Sequence, residues 1–173
     1  MNHKIRIGVS RCLLGECVRY DGGHKHDPLV TETVGRWAEL VPICPEVEAG
    51  LGTPREPMRL EGNPWRPQLV AESRRDHTER VVSWARMALP QLTGQGLCGF
   101  ILKSKSPSCA VHSVSVYNSV GRPGEPGPGL FTRLVTEHFP ELPVAEESDL
   151  RDAERYEAFM QQVHACHGSQ NVP

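Results

Sequence analysis

Three cysteines far apart in the chain follow the same kind of segment. Cys12 comes after the apolar run Ile5–Val9, Cys44 directly after Leu40–Ile43, and Cys109 a few residues past Cys98–Leu102. In an open α/β sheet, ligands bind outside the carboxyl ends of the strands. These thiols are therefore candidates to converge at one sheet edge. Three thiolates at loop positions suit a metal or iron–sulfur centre with three protein ligands and one position open to substrate. Zinc is the competing metal. A catalytic zinc usually takes a histidine, and His24 and His112 are the candidates by position. Spacing alone leaves the choice open, since the chain contains no CxxC pair.

Other groups flank these thiols. Glu46 lies two residues beyond Cys44, where a carboxylate can act as general base or acid. Ser104, Ser106 and Ser108 precede Cys109 and could hydrogen-bond sulfur or a substrate. Arg19, Lys25, Arg55, Lys103 and Lys105 fall in the same loops. They could hold an anionic substrate such as a phosphate, or be plain surface charges. Gly127-Pro128-Gly129 stands ahead of a helix and could offer backbone N–H groups to an anion. Cys98, inside an apolar strand, reads as a small buried hydrophobe, and Cys166 as incidental. Cys17 shares the loop of Cys12 and is ambiguous.

The elements that must position these groups alternate. Strands are expected at Ile5–Val9, Leu40–Ile43, Cys98–Leu102 and Leu142–Ala145, with a short one at Val114–Tyr117. Helices are expected at Pro28–Ala38, Arg75–Leu92, Leu130–His138 and Leu150–His167, the last capped by Ser148 or Asp149. In Arg75–Leu92 the core candidates are Val81, Val82, Ala85, Met87, Ala88 and Leu92. Met58–Val70 suggests an edge hairpin, and Gly121–Gly129 a Pro/Gly-rich loop. Such alternation predicts an α/β fold: a mainly parallel open sheet with helices on both faces, Rossmann-like. The 173 residues suit a single domain over 1–168, with a loose tail over 169–173.

Composition narrows the function. The net charge of −2 argues against a nucleic-acid binder that works through a broad basic field. No apolar stretch is long enough to span a bilayer. Met1–Lys4 lead straight into a strand, so no signal peptide is expected and a cytoplasmic location is. In that compartment six cysteines point to metal or catalysis rather than disulfides.

Three segments together carry a resemblance: Gly8-Val9-Ser10-Arg11-Cys12-Leu13-Leu14-Gly15 with Val18–Gly22; Cys44-Pro45-Glu46 with Gly50–Arg55; and Leu102–Cys109. Over about residues 4–147 the chain resembles the thiouracil desulfurase (TudS-like) family. The resemblance implies a [4Fe–4S] cluster held by Cys12, Cys44 and Cys109, with one iron not ligated by protein. It implies catalytic roles for Glu46 and Ser106. Many relatives carry a cysteine six positions after the first ligand; here that place is Val18, so no ligand role passes to Cys17. The expected activity is non-redox, hydrolytic removal of sulfur from a thiolated pyrimidine (4-thiouracil, 4-thiouridine or 4-thio-UMP), releasing sulfide. Some relatives carry a second domain and act on thiolated tRNA. With no second domain expected here, a free base, nucleoside or nucleotide is the favoured partner. The alternatives are a tRNA 4-thiouridine desulfurase, or a non-catalytic iron–sulfur sensor or sulfide carrier.

Overall fold

The computed structural model describes residues 4–170. Along the chain run β1 (Ile5–Ser10), α1 (Gly35–Trp37), β2 (Ala38–Ile43), α2 (Pro45–Glu48), β3 (Met58–Asn63), β4 (Arg66–Ala71), α3 (Thr78–Thr93), β5 (Leu97–Leu102), β6 (Val114–Tyr117), β7 (Pro123–Gly127), α4 (Leu130–His138), β8 (Val144–Glu146) and α5 (Ala153–Gln170). A wide π-helical turn, Leu29–Val34, leads into α1.

The main sheet has the order β2-β1-β5-β8, and every pairing in it is parallel. Strands covered on both faces read as continuous apolar runs, and all six residues of β5 are buried. On one face, Ile7, Val9 and Ile101 pack with Val30 and Val34 and with Phe159 and Val163 of α5. On the other, Phe100 and Leu102 pack with Ala85 and Leu89 of α3 and Phe131 and Val135 of α4. The expected parallel sheet flanked by helices is thus present. Gly8 is required in β1: a Cβ there would lie 2.5 Å from Phe100 Cδ1.

β1 leads to β2 on one side, and the chain then crosses to β5 on the other. The topological switch point therefore falls between β1 and β5, the place where open α/β sheets bind ligands. The crossovers after β2 and after β5 each carry an insertion, β3–β4 and β6–β7. The two insertions pair through a parallel β3–β6 contact, Leu60 opposite Val116. The result is a second sheet, β4-β3-β6-β7, whose Leu60, Leu69 and Val116 cover Val81 of α3 and Leu130 of α4. Met58–Val70 is indeed a hairpin, but in this second sheet, and the expected loop Gly121–Gly129 contains its strand β7. Prolines tolerate this because β4 and β7 are the edges, where a missing N–H leaves no ladder bond unmade.

Three smaller expectations change. Met87 is 65% exposed, and Leu89 holds the core position instead. Helix α5 starts at Ala153, after a short turn over Asp149–Arg151, and Asp152 caps it: its Oδ1 accepts the Arg155 N–H at 2.9 Å. The helix runs to Gln170, so 169–170 are helical, and 171–173 lie outside the described residues.

Candidate metal centre

Each thiol is delivered by the end of a parallel strand. Cys12 sits in the single 3-10 turn Arg11–Leu14 that follows β1 directly. Cys44 follows β2 and precedes α2, whose first residue is Pro45, a residue pre-shaped for that position. Cys109 lies in the loop after β5, and this loop is held from behind by α4. The N–H groups of Gly129, Leu130 and Phe131 donate to the carbonyls of Ala110, Pro107 and Ser108 at 2.8, 2.9 and 2.9 Å. Thr132 Oγ1 adds a buried 2.8 Å bond to the Cys109 carbonyl. The N–H groups expected to serve an anion are thus spent on the Cys109 loop. Gly129 permits this closeness, for a Cβ there would stand 2.5 Å from the Ser108 carbonyl oxygen.

The three strand ends open on one cavity of about 540 Å³. Its walls include Cys12, Cys44 and Cys109, and also Glu46, Ser104, Ser106, Arg19, Lys25, Arg55, Lys103 and Lys105. These eleven candidate residues therefore meet there. Ser108, Cys17, His24 and His112 do not line it. Cys17 is exposed, and His112 hydrogen-bonds Asp149 at 2.9 Å instead.

The polar groups are arranged in two buried clamps. In the first, Glu46 is 8% exposed. Its Oε2 accepts Arg55 Nε at 2.8 Å and pairs with Arg55 Nη2 as well. Its Oε1 accepts the hydroxyl of Ser108 at 2.7 Å. Arg55 Nη1 donates onward to the carbonyls of Val18 (3.0 Å) and Gly52 (2.8 Å), tying the Cys12 loop to the Cys44 segment. Arg55 is thus committed to building the site. In the second clamp, buried Glu147 pairs with Lys103 Nζ and accepts the Ser104 N–H and hydroxyl, both at 2.7 Å. Ser106 Oγ accepts the N–H of Cys109 at 3.0 Å and so shapes the turn that presents this thiol.

Three cations remain. No ion pair or side-chain hydrogen bond engages the ammonium groups of Lys25 and Lys105 among the described residues. Arg19 has a buried Nε without a hydrogen-bond partner, 3.6 Å from Asp21 Oδ1.

Burial pushes the Cys12 thiol up to about 11, and neighbouring Cys44 adds to the effect, while Lys103 and Arg19 oppose it. Burial also raises Cys44, and raises Cys109 well above the ordinary thiol value. Buried in this way, the three thiols resist ionisation as free groups. A soft cationic centre removes that resistance, because metal binding displaces the protons. The donor set therefore fits an all-thiolate centre with three protein ligands. Among the described residues no histidine lines the cavity to complete a zinc site of the usual catalytic kind.

Glu147 and Ser10 are structural parts of the site to which the sequence assigns no role, and Ser108, expected to bond sulfur or a substrate, bonds Glu46 instead. Ser10 Oγ accepts the Lys103 N–H at 3.0 Å, bridging the ends of β1 and β5. Ser108 is one of three serines before Cys109, and only its burial separates it from the others.

A parallel α/β sheet with three thiols and a clamped carboxylate around one pocket at its switch point defines an α/β pocket protein. The 2-thiouracil desulfurase family model matches residues 7–147. A protein of Bacillus subtilis (strain 168), the uncharacterized protein YbbK, is 33% identical over 118 residues, 65% of this chain and 76% of that one. A solved structure of a [4Fe-4S]-dependent thiouracil desulfidase, TudS, is 34% identical, with a TM-score of 0.68 over 91% of this chain and 99% of that chain. The chain belongs to the 2-thiouracil desulfurase family.

Proposed function

We propose that this protein is an iron–sulfur-dependent, non-redox desulfurase acting on a small thiolated pyrimidine: 4-thiouracil, 4-thiouridine or 4-thio-UMP. The observation that carries the reading is the convergence of Cys12, Cys44 and Cys109 with Glu46 on one cavity. The likeness to a [4Fe-4S]-dependent thiouracil desulfidase supports it. Cys12, Cys44 and Cys109 would hold a [4Fe–4S] cluster, and the iron left without a protein ligand would supply Lewis acidity toward a soft sulfur.

The chain's own residues do the rest. Glu46 takes a proton from the water that attacks the thiocarbonyl carbon, or passes it to the ring. Ser106 orients the water or the substrate. Water supplies the oxygen of the oxo-pyrimidine, and the sulfur departs as sulfide. No electrons are gained or lost, so no reductant is required. Arg19, Lys25 and Lys105, which line the cavity, would receive a 5′-phosphate. The cavity is of small-molecule size, and the net charge of −2 favours a mononucleotide or base over tRNA.

The test is sulfide release by anaerobically purified protein from 4-thiouracil, 4-thio-UMP and thiolated tRNA, without reductant. About four irons per chain and turnover of the small substrates are expected. Stoichiometric zinc with no iron–sulfur absorption would overturn the cofactor. A strict need for added electrons would overturn the hydrolytic scheme.

A further inference from the structure

The chain holds a second set of paired thiols, away from the cavity. Cys98 is the second residue of β5 and is fully buried. Cys166 lies in the last part of α5 and is half-buried. Both sulfurs engage one carboxamide. The Cys98 thiol donates to Gln170 Oε1 at 3.6 Å, and Gln170 Nε2 donates to Cys166 Sγ at 3.5 Å. Cys166 Sγ also reaches the carbonyl of Leu97, the residue before Cys98, at 3.9 Å. Since Cys98 is at the amino end of β5 and the cavity lies beyond the carboxyl end, the strand's length separates this pair from Cys12, Cys44 and Cys109. With a rise of ~3.3 Å per residue that separation is well beyond ligand reach.

We propose that Cys98 and Cys166 are a site of reversible oxidation, which joins them as a disulfide that pins the carboxyl-terminal helix to the amino end of β5. The oxidant class is a small-molecule disulfide such as glutathione disulfide. The accessible Cys166 thiolate attacks one of its sulfurs, forming a mixed disulfide and releasing one glutathione thiol. Cys98 then gives up its proton and attacks Cys166 Sγ, releasing the second glutathione. Two electrons pass from the protein thiols to the oxidant, and the two protons go to the departing glutathiones. A dithiol reverses both steps. The order follows from accessibility, and burial agrees with it: burial first, then the contact with Cys166, pushes the Cys98 thiol up to about 12, so Cys98 is the resolving partner. Gln170 engages both sulfurs through one amide, which places the two thiols on the same side chain in the folded chain. The pair lies outside the cavity, so the proposal stands independently of the cofactor and substrate proposed above.

The test is to expose the purified holoprotein, under argon, to glutathione disulfide. The protein is then quenched in acid, alkylated in denaturant, digested without reduction and mapped by mass spectrometry. The expected product is a peptide pair joined through Cys98 and Cys166, which separates on dithiothreitol treatment. The linked protein should melt several degrees above the reduced one, since the bond closes a long loop. Cys166→Ser, at a half-buried position, should fold normally and lose both the link and the redox dependence of its melting temperature. Cys98 recovered fully alkylated, at a glutathione ratio that modifies exposed Cys17, would overturn the proposal. A stable glutathione adduct on Cys166 with Cys98 unlinked would overturn it equally.

Discussion

Ser108 donates a 2.7 Å buried hydrogen bond to Glu46, and each residue adjoins a different thiol. Glu46 is two residues past Cys44 and Ser108 is one before Cys109. The bond thus locks the second and third thiol-bearing segments to each other, and it fixes the carboxylate proposed to move the proton. The parallel pairing of β3 with β6 repeats the same tie a few residues further along both insertions.

Ser108→Ala leaves a buried carboxylate oxygen without its donor. The expected cost is about 1–3 kcal/mol of stability, together with a lower kcat from a carboxylate that is no longer held. Thermal melts and sulfide-release kinetics check both. Unchanged values in both would show that the bond contributes nothing.

Glu46→Gln keeps the shape of the side chain but removes its charge and its capacity to take a proton. Iron content should be retained, while activity falls by about 10²-fold or more, as for loss of a positioned acid–base group. Iron analysis alongside kinetics separates this from simple loss of the centre. A variant with full activity would remove Glu46 from the reaction.

Single substitutions Cys12→Ser, Cys44→Ser and Cys109→Ser should each abolish or sharply reduce bound iron, since each takes one thiolate from a three-ligand set. Cys17→Ser should leave iron content unchanged, because Cys17 is exposed and outside the cavity walls. Absorption spectra and iron analysis of the four variants decide this.

Lys25 and Lys105 are the cavity cations whose ammonium groups are not already committed to a carboxylate. Lys25→Ala and Lys105→Ala should raise KM for 4-thio-UMP much more than for 4-thiouracil, which makes no phosphate contact. Equal effects on the two substrates would place no phosphate there.

His112 carries a pH-dependent part of the stability. The Asp149 carboxylate that hydrogen-bonds it raises its pKa above the ordinary imidazole value. A raised folded-state pKa stabilises below the unfolded value of about 6.5 and is lost as pH rises through the folded value. The melting-temperature gap between wild type and His112→Asn should therefore be wide near pH ~6 and narrower near pH ~8.5. A gap that is flat across this range would count against the ion pair.

Much of the site was legible from residue types, because thiols after apolar strands can only gather where a parallel sheet ends. Helix α4 likewise follows from its own apolar spacing after Gly129, and it runs over the expected Leu130–His138. The second sheet was not legible. Its central contact joins β3 to β6 across a large sequence separation, and β7 is a Pro/Gly segment with no strand signature of its own. Nor could composition tell which cations are spent. Arg55 and Lys103 look like Lys25 and Lys105 in the sequence, yet buried Glu46 and Glu147 claim the first two. The helix start at Gly129 reads as an anion site until the Cys109 loop is seen to occupy it. Local sequence determined which groups this protein owns and which strand ends carry them, since hydrophobic periodicity and loop chemistry act over a few residues. Tertiary structure alone decided which of those groups face one another, because hydrogen bonds and ion pairs between remote segments exist only once the chain has closed on itself.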